Sequence, residues 1–322
     1  MPQLIHPGNR AEWLALRTMD VTSTESSALF GLNPWVTEFE LWHQKKDGTV
    51  VEIEENERMS WGLTLEPFIA KRIAELYGVK VRRLSAYARH DDVRMGASFD
   101  YEIVGIVHGE VEDTILQRMY EQYGPGNLEI KNVDGLVFRD QWVTEGQQIV
   151  EAPPRIEIQV QHQLEVIQRN WSAIGVLVGG NTLRMLIRER DEEVGRSLRF
   201  KIGAFWDSII ENRPPEIDFN RDAAFVAKLF GHAEPGKFID LRDNNRAAEL
   251  AAEYHAAAQD EKAAKDRKEA AKAELLTIIG DAEKAAIPGF TISAGIVAEA
   301  EISYTRKAYR NFRLTARKEK AK

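Results

Sequence analysis

The spacing of apolar residues along the chain predicts alternating helices and strands, which is typical of an α/β fold. Apolar residues lie on one stripe of a helix over 60–77, and Gly78 ends that stripe. The run 171–178 is almost entirely apolar, as expected for a strand covered on both faces. Helices are predicted over 12–16, 23–30, 37–46, 60–77, 157–169 and 191–210, and strands over 79–83, 87–89, 95–104, 128–132, 171–178 and 183–188.

The amino-acid composition changes after Pro214 and Pro215, which end the last of these helices. The stretch 244–279 contains neither proline nor glycine, and it predicts one helix about 50 Å long. Short runs of β-type residues follow at 290–293, 296–297 and 302–304. The predicted segments are a core over 1–215, a linker over 216–243, a helical arm over 244–287 and a small β-rich, basic segment over 288–322.

Composition and charge exclude several classes of protein. The chain has no cysteine, so disulfides, thiolate metal sites and a thiol nucleophile are ruled out, and its histidines lack zinc-ligand spacing. A formal net charge of −8 argues against nonspecific coating of nucleic acid. However, residues 301–322 have a net charge of +6, so this tail can contact DNA locally. Because 1–10 lacks a signal-peptide core and no stretch approaches a membrane span, a cytoplasmic location is expected.

The segment Asn127 to Lys131 contains a carboxylate and a lysine one residue apart. If this segment is a strand, Glu129 and Lys131 share one face and Ile130 is buried on the other. Such a pair can hold a divalent metal and steady an attacking water or the charge that develops on a phosphate. An isolated Glu-x-Lys on a strand is usually only a solvated ion pair, so the hypothesis depends on its neighbours in the sequence.

Three polar residues flank this pair in chain order. Glu66 lies in the long predicted helix, Asp100 ends the segment ASFD, and Gln159 begins the segment QVQHQL. A helix acid, a strand-end acid, Glu-x-Lys and a glutamine-rich helix, in that order, resemble the PD-(D/E)XK nucleases. Within these, they most resemble the phage recombination exonucleases of the YqaJ and lambda-exonuclease family.

Two further segments carry the resemblance. Arg17 followed by Thr22, Ser23 and Thr24 resembles the element that this family uses for the 5′ phosphate of DNA. The segment QVQHQL with Trp171 downstream resembles the stretch that follows the Glu-x-Lys pair in the family. Together these motifs cover about residues 10 to 210.

The resemblance implies a nuclease core with a central mixed sheet flanked by helices, followed here by a long C-terminal helix and a small β-rich tail. It implies an Mg²⁺-dependent exonuclease, with Mn²⁺ able to substitute, that hydrolyses double-stranded DNA from its 5′ ends. The product would be 3′ single strands for phage-type homologous recombination. The implied partners are double-stranded DNA ends, a single-strand annealing protein, and further copies of the chain in a ring or trimer, with no membrane.

The resemblance also implies a role for each metal-binding residue. Asp100, Glu129 and the backbone carbonyl of Ile130 are hard oxygen donors, which suit Mg²⁺ or Mn²⁺. Glu66 would complete a second metal site or hold a metal-bound water. The alternative interpretation is that Glu66 is a solvated helix residue without a role in the site.

The remaining candidate residues would act on the DNA or on the attacking water. Lys131 would orient the water and offset charge on the pentacovalent phosphate, and Gln159 would hydrogen-bond that water or the scissile phosphate. Arg17 and the hydroxyls of Ser23 and Thr24 would bind the terminal phosphate. For Ser23 and Thr24 a plain helix N-cap is an equally good interpretation.

Other interpretations of the chain remain open at this stage. The same core could belong to a structure- or site-specific endonuclease, or to a catalytically silent DNA-binding or assembly protein. The tryptophans Trp35, Trp42 and Trp61 are expected in the core rather than as base-stacking platforms. His162 is expected to be a buried, hydrogen-bonded histidine rather than a metal ligand.

Overall fold

The structure is a computed structural model that describes residues 2–50, 56–90, 92–111, 114–301, 303–306 and 308–315. The helices are α1 (Arg10–Met19), α2 (Glu38–Lys46), α3 (Glu57–Tyr77), α4 (Ile115–Tyr123), α5 (Gly135–Gln141), α6 (Pro154–Ile167), α7 (Glu192–Ile210), α8 (Ala223–Leu229) and α9 (Asn245–Ile279). The strands are β1 (Gln3–Ile5), β2 (Val21–Thr22), β3 (Val79–Arg83), β4 (Tyr87–Arg89), β5 (Met95–Ser98), β6 (Tyr101–Ile106), β7 (Gly126–Val133), β8 (Val143–Glu145), β9 (Gln148–Glu151), β10 (Trp171–Val178), β11 (Thr182–Glu189), β12 (Lys284–Ile287) and β13 (Phe290–Ser293). Contacts between residues divide the chain into a first unit, Met1–Ala223, and a second, Ala224–Lys322.

Side chains at the helix N-termini explain where the predicted helices begin. The hydroxyl of Thr37 accepts a hydrogen bond from the backbone of Glu40 and so caps α2. The side chain of Asn56 accepts from the backbone of Met59, which lets α3 begin earlier than the apolar stripe indicated. Gly78 ends α3 in the left-handed region at φ 62°, as predicted.

The first unit contains a five-stranded mixed sheet in the order β11-β10-β7-β6-β3. Strand β7 pairs in parallel with β10, whereas β6 with β7, β3 with β6 and β10 with β11 are antiparallel. The hairpin of β10 and β11 was predicted from its apolar run and glycine-rich turn, and it forms. The central mixed sheet implied by the resemblance is therefore present.

Helices cover both faces of this sheet. On one face, Ile69 and Ile73 of α3 pack with Leu128 and Ile130 of β7. On the other face, Val160 and Leu164 of α6 pack with residues of β10 and β11, namely Ile174, Val176 and Leu186. A Cβ at Gly175 of β10 would come within 2.4 Å of the Ile73 side chain, so glycine allows α3 to lie close to the sheet.

A second sheet of the first unit has the order β1-β4-β5-β2 and packs against α6, which also contacts the 3-10 helix Ser26–Phe30. The prediction of a single strand over 95–104 is wrong, because this stretch forms two strands. The chain turns at Phe99 and Asp100, so β5 belongs to the second sheet and β6 to the five-stranded sheet. This crossing places Asp100 between the two sheets.

Two other predictions about local structure are wrong. The helix predicted from residue 23 is the shorter 3-10 helix Ser26–Phe30, preceded by Glu25 without a side-chain cap. Neither Ser23 nor Thr24 is therefore its N-cap. The strand predicted at 296–297 does not form among the described residues, and residue 302 of the last predicted strand lies outside them.

In the second unit, α9 is a single helix of 35 residues, close to the length predicted. The side chain of Asn244 caps it by accepting from the backbone of Ala247. Strands β12 and β13 form an antiparallel hairpin after it, and β12 begins within the segment predicted as helical arm. Among the helices that the structure describes, none is long and apolar enough to cross a membrane.

Candidate active site

Strand β7 presents Glu129 and Lys131 on the face of the sheet that α6 covers, and Ile130 packs into the core on the other face. The predicted strand geometry is thus confirmed. The Glu129 side chain is 4% exposed and accepts a hydrogen bond from Nζ of Lys131, whose side chain is 24% exposed. The Glu129 carboxylate is therefore buried, while the side chain of Lys131 is partly exposed to solvent.

Two glutamines of α6 hold the carboxylate of Glu129 from the helix side. The amide of Gln159 donates to Oε1 of Glu129 at 2.7 Å, and its own oxygen lies 3.4 Å from Nζ of Lys131. The amide of Gln163 donates to the other oxygen, Oε2, at 2.8 Å. The predicted residue Gln159 is thus brought to the Glu-x-Lys pair, where it joins the two charged side chains.

Gln163 was not singled out by the sequence analysis, although the segment QVQHQL contains it. Residues four apart lie on the same face of a helix, so Gln159 and Gln163 follow one another along α6. That spacing was the available signal. Gln161, two residues from each of them, faces away from the site and bonds with the backbone of Glu189 and Asp191.

Asp100 reaches the same place from the crossing between β5 and β6. Its Oδ2 accepts a hydrogen bond of 2.8 Å from the backbone N–H of Ile130. The antiparallel ladder of β6 and β7 ends at the pair Tyr101 and Leu128, so the next position of the same register would set Asp100 opposite Glu129. The Asp100 carboxylate takes the place of a ladder hydrogen bond at this point.

The electrostatics of the site are dominated by two carboxylates in a partly buried space. Burial and the charge of Glu129 raise the pKa of Asp100 to about 8, against the lowering effects of Lys131 and of the backbone bond from Ile130. Burial alone would lower the pKa of Lys131. The charges of Glu129 and Asp100 outweigh that effect and raise its pKa, so Lys131 remains an ammonium ion.

Glu66 lies on α3 within electrostatic range of the same group. Burial raises its pKa, Arg83 lowers it, and Glu129 and Lys131 act on it with opposite signs. Its side chain is partly buried and therefore not fully solvated. The interpretation of Glu66 as a plain surface residue is thus not supported, and its role in the site stays a prediction.

Asp100 and Glu129 fit a hard divalent cation. Carboxylate oxygens suit Mg²⁺ or Mn²⁺, and a cation would offset the repulsion that raises the pKa of Asp100. The Ile130 carbonyl belongs to the same strand segment and could supply a third oxygen. Within the part of the chain that the structure describes, no three acidic or histidine side chains form a ready-made metal cluster, so Glu66 is not part of one.

The predicted phosphate-binding residues lie near the N-terminus of the first unit, where two of them meet. The Arg17 guanidinium lies 3.4 Å from the hydroxyl of Thr24 and 4.7 Å from the ring centre of Trp13. Thr24 is exposed, whereas Ser23 is buried and its carbonyl accepts a hydrogen bond from Ser26. Arg17 and Thr24 can therefore reach a ligand from solvent. Ser23 can contribute only from beneath the surface.

A partly buried carboxylate and a buried lysine lie beside this arginine. Glu25 forms ion pairs with Lys45 at 2.7 Å and with Arg17 at 3.8 Å. Burial would raise the pKa of Glu25, but the charges of Lys45 and Arg17 lower it, so Glu25 stays ionised. The cluster has two cations for one anion, which leaves a positive excess beside Thr24.

The expectations for the tryptophans and for His162 have mixed outcomes. Trp42 is buried, but Trp35 is 76% exposed and Trp61 is 54% exposed, so the core prediction is wrong for these two. Trp35 stands on the turn after Asn33, and its ring centre lies 5.2 Å from the guanidinium of Arg155 at the start of α6. His162 is fully buried with Nε2 at 3.1 Å from the Gly96 carbonyl, as predicted for a structural histidine.

Comparison with known proteins supplies independent information about the family. The family described as YqaJ-like viral recombinase domain matches residues 12–170, which include both the N-terminal cluster and the Glu129 site. The uncharacterised protein YqaJ of Bacillus subtilis (strain 168) is 30% identical over 243 residues, which is 74% of this chain and 69% of that relative.

Among solved structures, the chain is similar to an alkaline exonuclease, LHK-Exo, from Laribacter hongkongensis. The similarity covers 67% of this chain and 100% of that one, with 20% identity and a TM-score of 0.43. For LHK-Exo in complex with dAMP the coverage is the same, with 18% identity and a TM-score of 0.45.

Proposed function

The chain belongs to the YqaJ-like viral recombinase family, one of the lambda-exonuclease-like families, and on this premise we propose that it is a metal-dependent deoxyribonuclease. The observation that carries the proposal is the group formed by Asp100, Glu129 and Lys131. Two carboxylates are forced together beside a lysine that stays protonated. This arrangement is costly for a protein that binds no cation, because like charges in a partly buried site repel each other.

The roles of the residues follow from their positions. When bound at Asp100 and Glu129, with the Ile130 carbonyl as a further oxygen, Mg²⁺ or Mn²⁺ would lower the pKa of a water and stabilise charge on the scissile phosphate. Lys131, at the solvent edge of the site, would contact the phosphate or the attacking water and offset negative charge as the bond to phosphorus forms. Gln159, which contacts both side chains, would hold Glu129 and Lys131 in a fixed position relative to each other.

We further propose that the enzyme is an exonuclease that begins at the 5′ ends of double-stranded DNA. The support is the N-terminal cluster, in which Arg17 and Thr24 are accessible and the cations exceed the anions. A terminal phosphate is a dianion that an arginine can bind through two hydrogen bonds. The 3′ single strands left behind would be the substrate of an annealing protein, and a ring or trimer of the chain would favour processive digestion.

The first test is Mg²⁺-dependent digestion of linear duplex DNA labelled at the 5′ or the 3′ end, beside covalently closed circular DNA. The proposal expects early release of the 5′ label as nucleotide and intact circles. Lys131→Ala should lower the rate roughly 100-fold or more, because it removes the cation that faces the developing charge. Lys71→Ala, which changes a lysine with a 75% exposed side chain on α3, is the matched control and should leave the rate unchanged.

The alternative functions predict different results in the same assay. Cleavage of closed circles would indicate an endonuclease on the same core. Early release of the 3′ label would reverse the proposed direction. No turnover with either Mg²⁺ or Mn²⁺ on any of these substrates would indicate a DNA-binding or assembly protein.

A further inference from the structure

The amide of Gln163 joins the two chain segments that carry Glu129 and Asp100. Its Nε2 donates to Oε2 of Glu129 at 2.8 Å and to the backbone carbonyl of Ser98 at 3.1 Å. Ser98 is the last residue of β5 and lies two residues before Asp100. Glu129 belongs to β7, so the side chain bridges the second sheet and the five-stranded sheet at the site.

The orientation of this amide is determined by its neighbours. Both groups that it contacts, a carboxylate and a backbone carbonyl, accept hydrogen bonds and cannot donate them. Only the NH₂ side of the amide can therefore face them, and its two hydrogens supply one bond each. The side chain is 2% exposed, so water does not compete for these bonds.

The two oxygens of Glu129 are not equivalent in this arrangement. Oε1 accepts from both Lys131 and Gln159, which occupies its two lone-pair directions. Oε2 accepts from Gln163 and from no other group within the described residues. Oε2 can thus accept one further bond. Because Gln163 is bonded to Oε2, it fixes the direction in which this oxygen points.

We propose that Gln163 is a positioning residue that sets Oε2 of Glu129 toward Asp100 as a ligand for the divalent cation. The inference rests on the proposed nuclease function, because it deepens the description of that site. It assigns Gln163 a task different from that of Gln159, which bonds with the other oxygen and with Lys131. Loss of Gln163 would free the carboxylate to rotate and would release the Ser98 carbonyl from the helix.

The wider surroundings support a fixed geometry at Ser98. The hydroxyl of Ser98 accepts a hydrogen bond of 2.8 Å from the indole N–H of Trp13, so α1 holds this residue from the other side. The backbone that leads to Asp100 is therefore held by a side chain from α1 and a side chain from α6. Residues that orient a metal ligand in this way typically change metal affinity or activity by about 10- to 100-fold when removed.

The test compares Gln163→Met with Gln161→Met in the full chain. The two glutamines lie on the same helix, are both buried, and each makes two hydrogen bonds, but Gln161 bonds with Glu189 and Asp191 away from the site. Mn²⁺ binding is measured by isothermal titration calorimetry, and kcat and KM are measured on linear duplex DNA. Thermal unfolding without metal reports the purely structural cost of each change.

If Gln163 positions the ligand, Gln163→Met weakens Mn²⁺ binding about tenfold or more and lowers kcat with little change in KM for DNA. Gln161→Met then lowers thermal stability to a similar extent and leaves the Kd for Mn²⁺ within about twofold of the unmodified chain. Should Gln163→Met fail to fold, Gln163→Asn is subjected to the same comparison. Asparagine keeps the amide but is too short by one methylene to bridge both acceptors.

Three outcomes would overturn the inference, and they differ in what they mean for the proposed function. An unchanged Kd for Mn²⁺ in Gln163→Met, with DNA digestion intact in the unmodified chain, refutes the positioning role alone. Equal weakening by Gln161→Met and Gln163→Met means a general loosening of α6, and also refutes it. Absence of both Mn²⁺ binding and digestion in the unmodified chain refutes the proposed function and the inference together.

Discussion

The carboxylate of Asp100 accepts a hydrogen bond of 2.8 Å from the backbone N–H of Ile130, at the point where the ladder between β6 and β7 has ended. A side chain from the crossing between two sheets thereby continues the hydrogen bonding of the central strand. The bond satisfies a backbone donor and sets Asp100 next to Glu129. The placement of the proposed metal ligand Asp100 is thus a consequence of how β6 leaves the sheet.

Asp100→Asn is expected to stabilise the metal-free protein by at least about 1 kcal/mol at neutral pH. Burial and Glu129 raise the pKa of this carboxyl to about 8, above its value in an unfolded chain. The group therefore destabilises the fold increasingly as the pH rises from about 4 toward 8. Asparagine removes the charge, keeps an oxygen for the Ile130 N–H, and is tested by urea unfolding without metal.

The same variant should lose its response to metal. Excess Mn²⁺ at about 100 times its Kd would stabilise the unmodified chain by about 2.7 kcal/mol and should stabilise Asp100→Asn much less. Asp140→Asn, an exposed aspartate on α5, is the matched control and should behave as the unmodified chain. Full metal-induced stabilisation of Asp100→Asn would contradict the assignment of Asp100 as a ligand.

Arg17→Gln is expected to reduce digestion of 5′-phosphorylated duplex about tenfold while leaving 5′-hydroxyl duplex nearly unaffected. The reason is that a guanidinium beside Thr24 would bond with the terminal phosphate, and charged hydrogen bonds contribute roughly 1.5 to 3 kcal/mol. The measurement is the ratio of kcat/KM for the two ends.

Arg139→Gln, which alters an exposed arginine on α5, is the control for Arg17 and should keep the ratio. A variant of Ser23 adds a second comparison, since Ser23 is buried in this structure. Ser23→Ala should change the ratio less than Thr24→Ala does. An equal loss on both kinds of DNA end in Arg17→Gln would point to general DNA affinity instead of recognition of the phosphate.

His162→Gln is expected to flatten the pH dependence of stability in mild acid. Burial lowers the pKa of His162 to about 4, so the unfolded chain binds a proton at higher pH than the folded one. The stability tied to this group is complete above about pH 6.5 and is lost as the pH falls toward 4, by about 3 kcal/mol in all. Glutamine keeps a donor for the Gly96 carbonyl without gaining a charge.

Urea unfolding between pH 7 and pH 4 tests the role of His162 through the slope of stability against pH. Glu25 and His90 also act on His162, with opposite signs, and remain in the variant. His255→Gln, which changes an exposed histidine on α9, is the control and should leave the slope as it is. An unaltered slope in His162→Gln would mean that other groups cause the acid sensitivity.

A chain that ends at Asp243 is expected to bind DNA more weakly or to assemble less, with its Mn²⁺ affinity unchanged. In the second unit, Tyr304 is 82% and Tyr309 60% exposed, and the Arg306 guanidinium lies 4.2 Å from the ring centre of Tyr309. Exposed aromatic rings beside arginines suit single-stranded DNA. Fluorescence anisotropy gives the affinity, and light scattering gives the mass in solution.

Within the full chain, Tyr304→Ala with Arg306→Gln separates the two explanations for the second unit. Loss of DNA affinity at constant mass would assign the exposed rings to DNA. Lys237→Gln is a control on the same unit, because its side chain is also exposed. Equal affinity and equal mass for the truncated and complete chains would refute any role of 244–322 in binding or assembly.

Local signals in the sequence were sufficient for much of the fold. The caps Thr37, Asn244 and Gly78 act within a few residues of themselves, so the helices that they bound could be predicted. The continuous apolar run of β10 likewise predicted a strand that is buried on both faces, whatever its position in the sheet. The alternation along β7 determined that Glu129 and Lys131 share one face with Ile130 on the other.

Only the tertiary structure decided where the chain leaves one sheet for another. The stretch 95–104 has the composition of one strand, and nothing local separates β5 from β6 at Phe99 and Asp100. The break arises because Met95 and its neighbours pair with β2 and β4, which are distant in sequence. The position of Asp100 between the sheets could not follow from its own segment.

The difference between Gln161 and Gln163 has the same cause. The sequence determined that both lie on α6 and that the glutamines at 159 and 163 share a face, since helical periodicity is a local property. Which face meets β7 depends on the packing of Val160 and Leu164 against β10 and β11. The sequence thus determined the order in which the candidate site residues occur. The contact of Gln163 with Glu129 exists only because distant segments bury their apolar faces together.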